Sequence, residues 1–176
     1  MSAPARRVRD WLDGHRDEMV ADLADYVGQE SASDDPAALA ECLRWLRGWL
    51  DRRLGPPSDE RLLPRPGAGE IAIRRYPGTG TTPVLLLAHY DTVWPTGTLA
   101  ERPFRVEGDR MSGPGVFDMK AGLVQAVWAL RALAELGLPR PACTLLLNGD
   151  EETGSLASSP VIVEEARRTR PALVFE

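Results

Sequence analysis

The chain has 176 residues, 43% hydrophobic and 27% charged, with a net charge of −5. That is enough for one domain with a sizeable core, and too acidic for a nucleic-acid groove. Cys42 and Cys143 show neither CxxC nor disulfide-framework spacing, no apolar run reaches membrane-spanning length, and the N-terminus lacks the apolar core of a secretory signal. A cytoplasmic protein with no membrane and no nucleic-acid partner is expected.

Val8, Trp11, Leu12, Met19, Leu23 and Val27 recur at helical spacing and predict one helix over about 5–28. A second is expected over about 36–54, opened by Asp35-Pro36 and closed by Gly55-Pro56, with Leu39, Leu43, Leu46 and Leu50 as its buried stripe. Short strands follow near 60–64, 70–76 and 83–89, divided by turns such as Pro64-Arg65-Pro66-Gly67 and Pro77-Gly78. Residues 70–74 alternate as an edge or half-buried strand does. By contrast, 84–88 is apolar throughout, the pattern of a strand covered on both faces.

After a long loop, 103–112 reads as a small hairpin turning at Glu107-Gly108-Asp109. A helix from about 119 to 136 stops at Gly137, ahead of Pro139. A second continuously apolar strand, 142–148, leads to a helix near 160–168 with Ser159 as its cap, and 171–175 is the last strand. Strands alternating with helices predict an α/β fold: a mostly parallel central sheet with helices on both faces.

Four segments hold the chemistry: VLLLAHYDTV (84–93), GPGVFDMKAG (113–122), LLLNGDEETGS (145–155) and PALVFE (171–176). Apolar strands that end in His, Asp or Glu deliver such groups to one sheet edge. His89 and Asp91, two apart on a strand, share a face, so imidazole and carboxylate can touch. Asp118 sits between a Gly-rich turn and a helix, where it serves either as a helix cap or as a ligand. Asp150, Glu151 and Glu152 crowd three carboxylates, a repulsion that a cation or a retained proton offsets. In extended backbone the two glutamates point opposite ways, so that one can bind metal while the other acts as a base. Glu176 ends the last apolar strand. One imidazole among several carboxylates suits a divalent metal, and paired carboxylates suit a bridged pair.

Taken together, HYDTV, PFRVEGDRMSGPGVFDMKAG, NGDEETGS and VFE resemble the N-terminal half of the M20 family of zinc-dependent peptidases, nearest to its glutamate carboxypeptidases. The likeness covers essentially the whole chain and is densest from about 84 to 176. It implies a zinc-exopeptidase-like sheet that is incomplete on its C-terminal side. Residues 1–176 would be the N-terminal part of a catalytic domain. The lid or dimerisation domain, and the rest of the catalytic domain with a last His ligand, would lie beyond Glu176. His15, in the first helix, is in the wrong place to be that ligand.

The resemblance further implies a site. His89 and Glu176 would bind the first zinc and Glu152 the second, with Asp118 bridging both and joined to Met119 by a cis bond. Asp91 would orient His89, and Glu151 would be the general base. The implied cofactor is Zn2+, two per complete site, with cobalt or manganese also suited to the N/O donor set. The implied activity is hydrolysis of an amide bond beside a free carboxylate, in a small peptide or an N-acyl amino acid, with a homodimer only for the full-length protein. Two alternatives stay open: a desuccinylase or deacetylase of amino-acid biosynthesis, and an inactive fragment or split-gene product that binds at most one metal.

Overall fold

A computed structural model of the chain describes residues 1–79 and 82–176. Three helices come first: α1 (Ala3–Asp13), α2 (Arg16–Val27) and α3 (Pro36–Leu54). Then follow β1 (Asp59–Leu63), β2 (Ile71–Tyr76), β3 (Thr79–His89), the short α4 (Thr98–Glu101) and the hairpin β4 (Arg105–Glu107) with β5 (Arg110–Ser112). A wide π turn (Val116–Lys120) runs into α5 (Ala121–Glu135), followed by β6 (Pro141–Asn148), a 3-10 turn (Glu151–Thr153), α6 (Ser159–Arg168) and β7 (Ala172–Val174).

Five strands form one sheet in the order β1-β2-β6-β3-β7. β3 pairs in parallel with both β6 and β7, while β2 is antiparallel to both β1 and β6. Four strands therefore run one way, and β2 alone is reversed. Because side chains alternate across a strand, each apolar strand splits between two cores. Leu86, Ala88, Leu145 and Leu147 pack with Leu23, Leu43, Trp49, Leu123 and Trp128 of the helical face. Leu85, Leu146, Ile71 and Ile73 pack with Val161 of α6 on the other.

Two adjacent arginines on β2 fasten the layers. Arg74, fully buried, donates to the Arg47 carbonyl at 3.0 Å and pairs with Asp51 on α3. Its neighbour Arg75 points the opposite way and donates to Glu165 on α6 at 2.8 and 2.9 Å. At the β7 edge Leu173 and Val174 are exposed. An apolar groove of about 760 Å³ opens beside them, lined by Leu12, Met19, Leu86, Val124 and Leu173 among others. Among the described residues, no helix is long and apolar enough to cross a membrane.

The single helix expected over 5–28 is two. Gly14 ends α1, its N–H bonding back to Asp10 O. The His15 ring then stacks on Trp11 at 3.8 Å, with Nδ1 2.7 Å from the Trp11 carbonyl, and so takes up an end group that continued helix would have satisfied. α4 and the π turn were also not expected, and the helix over 119–136 starts in regular form only at Ala121. Ser159 does not cap α6. The N-cap position is Ser158, and the Asp150 carboxylate instead accepts the N–H groups of Ala157 and Ser158 at 2.9 and 3.0 Å.

Between the helices, buried Asp22 accepts two bonds from Arg53, at 2.7 and 2.8 Å, and one from Trp128 Nε1 at 2.8 Å. Removing a partner from a buried network strands its donors, which costs more than the bonds contribute net. Asp22→Ala should lower unfolding free energy by about 2 to 4 kcal/mol. Urea unfolding with an unchanged m-value is the check.

Candidate metal centre

β3, β6 and β7 share one direction, so their C-terminal ends bring His89, the Glu151-Glu152 turn and Glu176 to a common edge. Asp118 arrives from the π turn ahead of α5. That turn needs Gly115, whose φ of +69° disfavours side chains and whose added Cβ would lie 2.6 Å from Thr92. Gly122 has a different task. A Cβ there would lie 1.7 Å from the Phe175 carbonyl oxygen, so only glycine lets the end of β7 reach α5 and carry Glu176 to the site.

His89 is the centre of the cluster and is buried. Its Nδ1 lies 3.0 Å from the Asp91 carbonyl and 3.3 Å from Asp91 Oδ1. Both are acceptors, so Nδ1 carries a proton. Nε2 faces the carboxylates, 2.9 Å from Asp118 Oδ1 and 3.9 Å from Glu151 Oε2. Main-chain N–H of His89 donates to the Met119 sulfur at 3.0 Å, and the Asp118–Met119 peptide bond is cis. Ligand atoms lie within 4.8 Å of one another in two groups sharing the imidazole: His89, Asp118 and Glu152, and His89, Glu151 and Glu176.

Asp91 is also buried, and its carboxylate does more than meet His89. It accepts the N–H of Glu151 at 3.3 Å, the N–H of Glu152 at 3.1 Å and the hydroxyl of Ser33 at 2.9 Å. The imidazole and the glutamate turn are thereby referred to one anion.

Electrostatics follow from this crowding. Burial opposes a charge on His89, but hydrogen bonding and attraction from Asp91, then Asp118 and Glu151, outweigh it and push its pKa up to about 9. Burial raises the Glu151 carboxyl, helped by the negative charge of Glu176, against the pull of His89. Glu152 is raised for the same first reason, with Asp118 adding to it. Glu151 and Glu152, crowded with two further carboxylates around one imidazole, thus hold their protons more tightly than they would in water, a condition that a cation relieves. One ring nitrogen with several carboxylate oxygens is a donor set that divalent zinc, cobalt or manganese accepts.

All six residues singled out in the sequence, His89, Asp91, Asp118, Glu151, Glu152 and Glu176, come to this one edge. Some details differ from expectation. Asp118 makes no capping bond, and Lys120 holds the cap position of α5. The backbone at the glutamates is a 3-10 turn rather than extended, yet their side chains still separate, Glu152 towards Asp118 and Glu151 towards Glu176. Glu176 groups with Glu151 and not, as the resemblance implies, with Asp118.

Asp150 leaves the cluster altogether. Burial opposes its charge, but bonds from Ser158, Asn148 and Ala157 hold its carboxyl below the ordinary value. Sequence reasoning missed Ser33 and Gly122. A glycine in the first turn of a helix was the only signal for the second, and the first had none.

Residues 85–176 match the family model described as Peptidase family M20/M25/M40. Carboxypeptidase G2 of Pseudomonas sp. (strain RS-16) is 41% identical over 109 residues, 61% of this chain and 26% of that protein. Succinyl-diaminopimelate desuccinylase of Gluconobacter oxydans (strain 621H) is 36% identical over 94 residues, 52% of this chain and 25% of that protein. The matched stretch thus spans about a quarter of each relative's length. In fold, the chain is similar to the di-peptidase Dug1p from Saccharomyces cerevisiae, with a TM-score of 0.82 at 18% identity over 99% of this chain and 41% of that one.

A folded pKa of about 9 against an ordinary 6.5 means that the metal-free folded chain holds the His89 proton more tightly than the unfolded chain does. The resulting stability, ~2 to 3 kcal/mol, is fully present below the unfolded value and is lost as pH rises through the folded one. NMR titration of the chain's two histidines, with urea unfolding at both ends of that window, checks this. A His89 that titrates at or below 6.5 contradicts it.

Proposed function

The chain belongs to peptidase family M20/M25/M40, and from that footing we propose that it forms the N-terminal part of a zinc-dependent catalytic domain. This domain hydrolyses an amide bond next to a free carboxylate, in a small peptide or an N-acyl amino acid. The observation that carries the proposal is the convergence of His89, Asp118, Glu151, Glu152 and Glu176 from four separate segments onto one edge of the sheet. The named relatives, one a carboxypeptidase and one a desuccinylase, both point to amide hydrolysis.

His89, Asp118, Glu152 and Glu176 would hold the metal. Divalent ions bound there supply a positive charge that acidifies water and polarises a carbonyl. Glu151 is the proton carrier. It is half-exposed, its side chain 41% accessible, so water and substrate reach it. Its raised affinity for protons brings it closer to the working range of a general base. It takes the proton of the attacking water and returns it to the departing amine nitrogen. Asp91, buried beneath, keeps the His89 Nδ1 proton in place and leaves Nε2 as the donor to metal.

The non-catalytic alternative has one observation in its favour. Among the described residues no second imidazole approaches the cluster, since His15 is stacked on Trp11. One experiment separates the two readings: metal content and cleavage of N-acyl-glutamate substrates by the purified chain supplied with zinc, with Glu151→Ala alongside. The expected result is that Glu151→Ala binds metal as the parent does and loses at least ~100-fold in hydrolysis. A parent chain with one metal or none and no turnover overturns the catalytic reading.

A further inference from the structure

We propose that Ser33 is a positioning residue of this centre, setting metal affinity through Asp91. The proposal rests on the metal-centre reading above and extends it to a residue in another part of the fold. Asp91 has no exposed side-chain surface, so its charge must be met by donors held around it. Among the described residues four are present: His89 Nδ1, the N–H groups of Glu151 and Glu152, and the Ser33 hydroxyl. The first three belong to the groups that the carboxylate orients. Only Ser33 comes from outside them, 58 residues away in the loop between α2 and α3.

This loop is held rigidly enough to serve as a reference. Ala32 forms a parallel bridge with Thr92, Ser33 N–H donates to the Thr92 carbonyl at 3.1 Å, and Thr92 N–H donates to Ser31 O at 2.8 Å. The Ser33 hydroxyl has two acceptors in reach, Asp91 Oδ2 at 2.9 Å and Thr92 O at 3.2 Å. The shorter, charge-assisted bond to the carboxylate is the stronger. It fixes Oδ2, and with it the rotation of the carboxylate plane that aims Oδ1 at His89.

Without the hydroxyl, Oδ2 keeps only the Glu152 N–H. The carboxylate can then turn, and the imidazole and the glutamate turn lose their shared reference together. Ser33 touches neither metal nor substrate in this scheme, and its effect passes entirely through Asp91.

The test is zinc affinity by chelator competition for the parent chain, Ser33→Ala and Ser33→Thr, with thermal unfolding of each metal-free chain. Ser33→Ala should bind zinc about tenfold more weakly, and Ser33→Thr, which keeps the hydroxyl, should stay within about twofold of the parent. All three metal-free chains should unfold cooperatively at similar temperatures. Parental affinity in Ser33→Ala overturns the proposal, as does a loss shared equally by Ser33→Thr or one explained by an unfolded metal-free variant. A parent chain that takes up no zinc overturns the metal-centre reading and this proposal with it. Uptake by the parent that is indifferent to position 33 overturns this proposal alone.

Discussion

The buried carboxylate of Asp91 is the constraint on which the site depends. A charge placed where water cannot reach it has to be surrounded by donors, and here those donors are the functional parts themselves: the His89 ring and the backbone of the two glutamates. Because one anion takes all of them, their relative positions are set by a single hydrogen-bonding geometry rather than by several independent ones. By meeting Nδ1, Asp91 also holds the proton on that ring nitrogen and turns Nε2 to the open side of the cluster.

The sheet makes that arrangement possible by direction. β3, β6 and β7 run in parallel, so the segments leaving their ends are neighbours although they lie far apart in the chain. The reversed β2 contributes nothing to that edge and serves as a fastening instead. Arg74 reaches the large helical layer and Arg75 reaches α6, so consecutive residues hold opposite faces of the molecule. Glycine supplies the remaining closeness, at Gly122, where the Phe175 backbone rests directly on α5.

Much of this was legible in the sequence where a pattern has one physical cause. The largely apolar runs at 84–88 and 142–147, bounded by turn residues, pointed to strands covered on both faces, and Leu85 and Leu86 do pack into opposite cores. The clustering of His89, Glu151, Glu152 and Glu176 followed from ligand-type residues at or just past strand ends, while Asp118, on a turn ahead of a helix, was joined to them by the family resemblance. Contacts without periodicity were not legible. The apolar residues on either side of Gly14 keep helical phase, so nothing in the pattern announced that His15 would fold back onto Trp11. Composition counted three carboxylates at 150–152, but the hydrogen bonds that remove Asp150 come from Ser158 and Ala157 on a later turn. Alternation over 70–74 is that of an edge or half-buried strand, but β2 lies between β1 and β6 and is buried on both faces, because Arg74 is paired with α3 and Arg75 with α6. Nothing in the pattern gave its direction. The polar loop at 31–35 offered several equivalent oxygens, and only the three-dimensional fold selects Ser33 among them.

β7 is three residues long, lies at the edge of the sheet, and carries Glu176 just past its end. Short edge strands open at a free energy far below that of global unfolding. If Glu176 is a metal ligand as proposed, it is available to an ion only while β7 is docked, and holding the ion and docking the strand become one linked equilibrium. Each unit of affinity gained at Glu176 is also a unit of protection against fraying of the sheet. An ion held there would act as a mechanical clasp on a three-residue strand that pairs with β3 alone among the described residues.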